Sequence, residues 1–215
     1  MKFFSIVVLI LFSTTFCINK DISQKNPVKI LFLGESTTVG QGASSPNENY
    51  VTKTIEFLKQ SGVTLEYKVI AKSGMSSTWG ITRLDEIYSY SPDLIIIEFL
   101  INDQYLSLEA TKSNYEIFSK IPYGKIVLFE LYDRNMFNKY KNNTSTNPIL
   151  EAHKSDRWSK QIDTLSKLPN NWSDFLVDGT HPSSLGYSLL ANILVEEITP
   201  IVTELYLIKL LEGSR

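Results

Sequence analysis

With 215 residues the chain suits one domain, long enough to bury a single good core. Its 43% hydrophobic and 20% charged content excludes global disorder. A formal net charge of −2, without any Lys/Arg-rich run, argues against nucleic acid or an anionic membrane surface as the main partner.

The first segment stands apart from the rest. Met1-Lys2 supplies one positive charge, Phe3 to Phe12 is almost wholly apolar, and Ser13, Thr14 and Thr15 follow. This reads as a secretory signal over residues 1–17, too short to be a comfortable membrane span of about 20 residues. The other reading is a buried first strand or helix. Residues 18–28 then form a short linker, and 29–215 a single domain with no integral membrane span. Cys17 is the only cysteine, so no intramolecular disulfide is expected. It stands where the lipid-modified first residue of an exported lipoprotein would stand, although Phe16 is bulkier than such signals usually carry; simple cleavage after Cys17 is the alternative. An exported protein is expected either way, periplasmic, secreted or lipid-anchored. Sequons at Asn142, Asn143 and Asn171 matter only in a host that glycosylates them.

Beyond the signal, short apolar runs alternate with segments at helical spacing. Lys29–Leu33 is a buried-strand run ending in Gly34. Asn49 to Gln60 sets Val51, Ile55 and Leu58 at helical spacing, and Gly62 stops it. Leu65–Ala71 reads as a second strand and Thr82–Tyr90 as a helix closed by Ser91-Pro92. Leu94–Phe99 is the clearest strand; a helix over Ser107–Ser119 and a strand over Lys125–Leu131 come next. Arg134–Pro148, polar and Asn-rich, is expected to be a long surface loop. Ser155–Leu168, Ser183–Glu197 and Ile201–Leu211 are expected to be helices. Continuous β-branched strands joined by helix-length crossovers predict a parallel sheet covered on both faces, a three-layer α/β/α sandwich. In such sheets the site forms outside the carboxyl ends of the strands.

Four places at those ends bear chemistry. Gly34-Glu35-Ser36 follows the first strand: glycine permits a sharp turn, and a serine at a helix start has an exposed hydroxyl among backbone N–H groups. A phosphate loop, a dinucleotide fingerprint and a Gly-x-Ser-x-Gly elbow all fail on spacing, and a plain helix cap is the bland alternative. Ser73-Gly74 follows the second strand, where a glycine permits close approach or makes a simple turn. Asn102-Asp103 follows the third; an Asn amide donates without charge, or it caps the next helix. Asp178-Gly179-Thr180-His181 stands near the far end, where a carboxylate three residues before a histidine can orient one ring nitrogen while the other faces a serine. A surface cap is its alternative. His153, the other histidine, is expected to lie on the surface.

In this order, Gly-x-Ser, Gly, x-x-Asn-Asp and Asp-x-x-His resemble the SGNH (GDSL-like) hydrolase family over Lys29–Glu197. The resemblance implies a flavodoxin-like α/β/α fold and a serine esterase with Ser36 as nucleophile, His181 as base and Asp178 as orienting acid. It implies an oxyanion hole from the backbone N–H groups of Ser36 and Gly74 and the amide of Asn102, with Asp103 supporting the loop. No cofactor or metal is implied. Two departures stand out: Glu35 where the family has Asp, and Leu100 where it has Gly, a side chain that could narrow the pocket or shift the turn presenting Asn102. The family's substrates span acetylated carbohydrates, other short acyl esters, lysophospholipids and thioesters. A small-molecule or glycan ester is thus expected, with an acyltransferase or a non-catalytic binding module as alternatives. Trp79, Tyr105, Tyr132 and Phe137 are candidates to stack on a sugar or line an acyl slot, or else ordinary packing.

Overall fold

The structure, a computed structural model, describes residues 26–141 and 147–213. The expected signal 1–17 with Cys17, the linker up to residue 25, and the sequons at Asn142 and Asn143 lie outside the described residues.

In chain order the elements are β1 (Val28–Gly34), α1 (Ser36–Val39), α2 (Tyr50–Gln60), β2 (Leu65–Ala71), α3 (Ser77–Ile81), α4 (Leu84–Tyr90), β3 (Leu94–Glu98), α5 (Leu100–Asp103), α6 (Leu108–Ser119), β4 (Lys125–Glu130), α7 (Arg134–Lys141), α8 (Pro148–Ala152), β5 (Lys160–Asp163) and α9 (Ser184–Gly213). The strands form one sheet in the order β2-β1-β3-β4-β5, every pair parallel.

Strand periodicity builds the three layers. Ile30 and Phe32 of β1, Leu94 and Ile96 of β3, and Val127 and Phe129 of β4 point to one face. There α2 and α9 cover them with Tyr50, Ile55, Tyr187 and Leu194. The alternate residues Leu31, Leu33, Ile95, Ile97, Ile126 and Leu128 point to the other face, against Ile87 of α4 and Tyr115 and Phe118 of α6. Because both faces are buried, β1, β3 and β4 read as unbroken apolar runs. Local signals fix the helix starts: Asn49 Oδ1 accepts the Thr52 N–H at 2.8 Å, and Ser107 Oγ accepts that of Ala110 at 3.1 Å.

Three expectations are corrected. Arg134–Lys141 is a helix, not part of a loop: Met136, Phe137 and Tyr140 are buried along one side, and Asp133 Oδ1 caps it by accepting the Met136 N–H at 2.7 Å. Within Ser155–Leu168 lies the edge strand β5; Trp158, Ile162 and Leu165 have helical spacing, but four residues are too few to display alternation. The last two helices are one, running through Pro200. That helix is long and apolar enough to cross a membrane by length and composition, yet Tyr187, Leu190, Leu194, Ile198 and Val202 are buried in the core.

Candidate active site

Ser36 opens α1, directly beyond β1, the strand between β2 and the central β3. The turn is very tight. A Cβ on Gly34 would stand 2.1 Å from Thr38 Oγ1 and 2.9 Å from the Glu98 carbonyl oxygen, so only glycine fits. Ser36 is almost covered, and its Oγ lies 3.1 Å from His181 Nε2.

His181 Nδ1 lies 2.7 Å from Asp178 Oδ2, while Asp178 Oδ1 accepts the backbone N–H groups of Thr180 at 3.0 Å and His181 at 2.8 Å. An acceptor-only carboxylate at Nδ1 places the ring proton there, which leaves the Nε2 lone pair for the Ser36 hydroxyl. Burial alone would raise the Asp178 carboxyl; the hydrogen bonds from the His181 ring and from the His181 and Thr180 N–H groups outweigh it and hold it at about 2. The loop itself is pinned at both flanks. The Val177 N–H donates to the His181 carbonyl at 2.8 Å, and the Arg134 N–H to the Gly179 carbonyl at 2.8 Å.

The expected oxyanion residues converge on the same edge. Gly74 has φ 75°, and a Cβ there would meet nothing within 4 Å, so the backbone conformation, and not a crowded contact, favours glycine. Asn102 Nδ2 donates to Glu35 Oε2 and, at 3.1 Å, to the carbonyl of Met75. Its amide therefore ties the loop after β3 to the loops bearing Ser36 and Gly74, and both amide hydrogens have partners in this resting arrangement. Leu100 is fully buried in the main core, so its side chain does not narrow the site. Asp103 is buried and accepts the Ser77 N–H at 2.8 Å, a support for the Gly74 loop.

His153 is not a surface residue. It is 0% exposed, stacked on Tyr115 with ring centroids 3.8 Å apart, and its Nδ1 lies 2.8 Å from Glu130 Oε1. Burial would lower its pKa, but the Glu130 and Asp103 carboxylates prevail and raise it to about 9. Sequence reasoning also passed over Glu98 and Glu130. Their signal was a lone acid closing an otherwise apolar strand, which only a structural task explains.

Of the four aromatic candidates, Tyr132 and Phe137 are core residues, and Trp79 packs edge-on against Phe99. Tyr105, 78% exposed, remains at the open edge. Two and four residues along the chain from Asn102, Gln104 and Leu106 line a groove of about 330 Å³ together with Asn135, Met136, Lys139 and Tyr140, among others. Among the described residues, no group of three His, Cys, Asp or Glu side chains could hold a metal ion.

No protein-family model matches the sequence, and neither does any curated protein. Solved structures do match. The lipase/acylhydrolase from Enterococcus faecalis superposes with a TM-score of 0.65 at 24% identity, covering 80% of this chain and 96% of its own. The family 3 carbohydrate esterase from Clostridium thermocellum gives 0.66 at 20% identity over 84% and 99%. The psychrotrophic esterase EstA from Pseudoalteromonas, in a structure inhibited by monoethylphosphonate, gives 0.65 at 19% identity over 81% and 98%. With its parallel five-stranded sheet between two helical layers, the chain has the α/β/α fold of the SGNH hydrolases.

Proposed function

We propose that this protein is a serine esterase that cleaves short-chain carboxylic esters, with O-acetylated carbohydrate as the favoured substrate class. The observation that carries the reading is the continuous hydrogen-bonded chain Ser36–His181–Asp178, with links of 3.1 and 2.7 Å. Ser36 Oγ passes its proton to His181 Nε2 as it attacks the ester carbonyl, and Asp178 stabilises the imidazolium that results. The tetrahedral oxyanion is received by the N–H groups of Ser36 and Gly74 and by Asn102, which gives up its Met75 contact to do so. Collapse sends the imidazolium proton to the leaving alcohol. Water then attacks the acyl-serine, with His181 again the base, and releases the acid.

The substrate class rests on the groove lined by Gln104, Asn135, Lys139 and Tyr140, whose mix of amide, ammonium and apolar side chains suits a sugar ring better than a long acyl chain. Likeness in fold to a carbohydrate esterase supports the same choice. The apolar run at the start of the sequence supports an exported enzyme meeting such material outside the cytoplasm. The test is a panel of p-nitrophenyl esters of increasing chain length beside acetylated oligosaccharides. Turnover confined to acetyl and other short esters, with kcat/KM higher on the acetylated sugars, is expected. Preference for long acyl chains would overturn the substrate class, and no turnover of any ester would overturn the enzyme reading.

A further inference from the structure

Beneath the serine loop lies a set of buried acids that the triad does not use. Glu35, Glu98, Asp103 and Glu130 are all 0–1% exposed and lie at or just past the carboxyl ends of β1, β3 and β4. Several ionised carboxylates buried side by side are very costly unless a cation or a proton neutralises them. His153 supplies the cation for two, with Nδ1 2.8 Å from Glu130 Oε1 and Nε2 3.4 Å from Asp103 Oδ2. Neither Glu35 nor Glu98 makes an ion pair among the described residues.

Their hydrogen bonds run in one direction. The Asn102 amide nitrogen can only donate, and it donates to Glu35 Oε2. On the far side Thr38 Oγ1 donates to Glu98 Oε2 at 3.0 Å, with the Tyr50 hydroxyl 2.8 Å behind it. This leaves Glu35 Oε1 and Glu98 Oε1, both buried and both without a donor. Gly34 stands opposite Glu98 in the β1–β3 pairing, so the two acids occupy neighbouring positions with no cation paired to either among the described residues, and a proton on one of them relieves the pair.

Burial, then the facing charges of Glu98 and Asp103, hold the Glu35 carboxyl far above the usual carboxylate range; the Ser36 N–H acts in the opposite sense. Burial raises Glu98 too, but the Thr38 hydroxyl and the Glu35 backbone N–H oppose it, while Glu130 and Asp103 add to it. Glu35 is therefore the member that keeps the proton. The proton belongs on Oε1, the oxygen without a donor, while Oε2, carbonyl-like, accepts from Asn102.

We infer that Glu35 and Glu98 share one buried proton and that this acid pair positions the Asn102 amide beside the serine loop. The positioning half rests on the esterase reading; the shared proton does not. The other titratable groups around the pair are Asp103 on α5, Glu130 on β4, Tyr50 on α2 and Tyr187 on α9.

Glu35→Gln retains the shape of the protonated acid, since its amide donates to Glu98 and its carbonyl accepts from Asn102. Glu35→Ala removes both. Melting temperatures of the wild type and Glu35→Gln are compared across roughly pH 5–9. A folded-state pKa raised above the unfolded value of about 4.3 gives stability that is full below that value and is lost as pH rises towards the folded one. The wild type should thus lose ground to Glu35→Gln steadily over this range, and a gap independent of pH would overturn the shared proton. In kinetics, Glu35→Ala should lower kcat about 10²-fold with KM little changed, and Glu35→Gln should recover it to within about tenfold of the wild type. Equal losses in the two variants would overturn the positioning role. A wild type without turnover would overturn the proposed function and the positioning half with it, while the shared proton stands or falls on the melting curves alone.

Discussion

Asp178→Asn is the substitution whose effect the geometry specifies most fully. Asp178 uses both oxygens: Oδ1 takes two backbone N–H groups and Oδ2 takes the His181 ring. Asparagine has one acceptor oxygen, so it must choose. If the oxygen stays with the backbone donors, the amide faces Nδ1, the ring proton moves to Nε2, and Nε2 can no longer accept from Ser36 at 3.1 Å. The opposite placement restores the working tautomer but sets an amide against two backbone donors. Each lost hydrogen bond costs about 1 kcal/mol, so the unproductive placement is favoured by roughly 2 kcal/mol, close to a thirtyfold excess. The Asp178 side chain is 51% exposed, so water softens this preference; the loss of the charge that steadies the imidazolium acts in the other direction. A fall in kcat of about 10²–10⁴ is expected, with KM nearly constant and an unchanged melting temperature. Steady-state kinetics on p-nitrophenyl acetate would measure it. Activity within tenfold of the wild type would refute Asp178 as the group that sets the tautomer.

Asn102→Ala should lower kcat by about 10²–10³ with KM little changed, whereas a mere helix cap would show instead as about 1 kcal/mol of stability in thermal melting. Gly34→Ala forces a methyl to within 2.1 Å of Thr38 Oγ1 and should cost about 1–3 kcal/mol in denaturant unfolding, with Ser36 displaced and activity reduced. His153, with its folded-state pKa raised to about 9, contributes stability that is full below about pH 6.5 and is lost as pH rises through 9. The advantage of the wild type over His153→Gln in melting temperature should shrink over that window, and a constant advantage would contradict a buried imidazolium.

The sheet was legible because its inner strands are buried on both faces and so appear as unbroken apolar runs, as in Leu94–Glu98. The edge strand Lys160–Asp163 was not, since only Ile162 is buried and its spacing from Trp158 and Leu165 mimics a helix. Arg134–Lys141 hid its buried stripe of Met136, Phe137 and Tyr140 among Asn and Lys, so composition outweighed periodicity. At the site, Asp178 and His181 are close in sequence and could be paired by spacing alone. Ser36 meets them only through the fold. The burial of His153 was illegible for a related reason: its carboxylate partners, Glu130 and Asp103, lie on other elements and reach it only in three dimensions. The same holds for Glu35 and Glu98, which are 63 residues apart and meet because β1 and β3 are neighbours in the sheet.

The central claim is that Ser36 is a nucleophile activated by His181. The most direct test is reaction with an ethyl phosphonate ester, followed by peptide mass spectrometry. One stoichiometric adduct on Ser36 is expected, formed at a rate that falls by about 10³-fold or more in His181→Ala and abolished in Ser36→Ala. Labelling elsewhere, or labelling of Ser36 at the same rate without His181, would contradict the account.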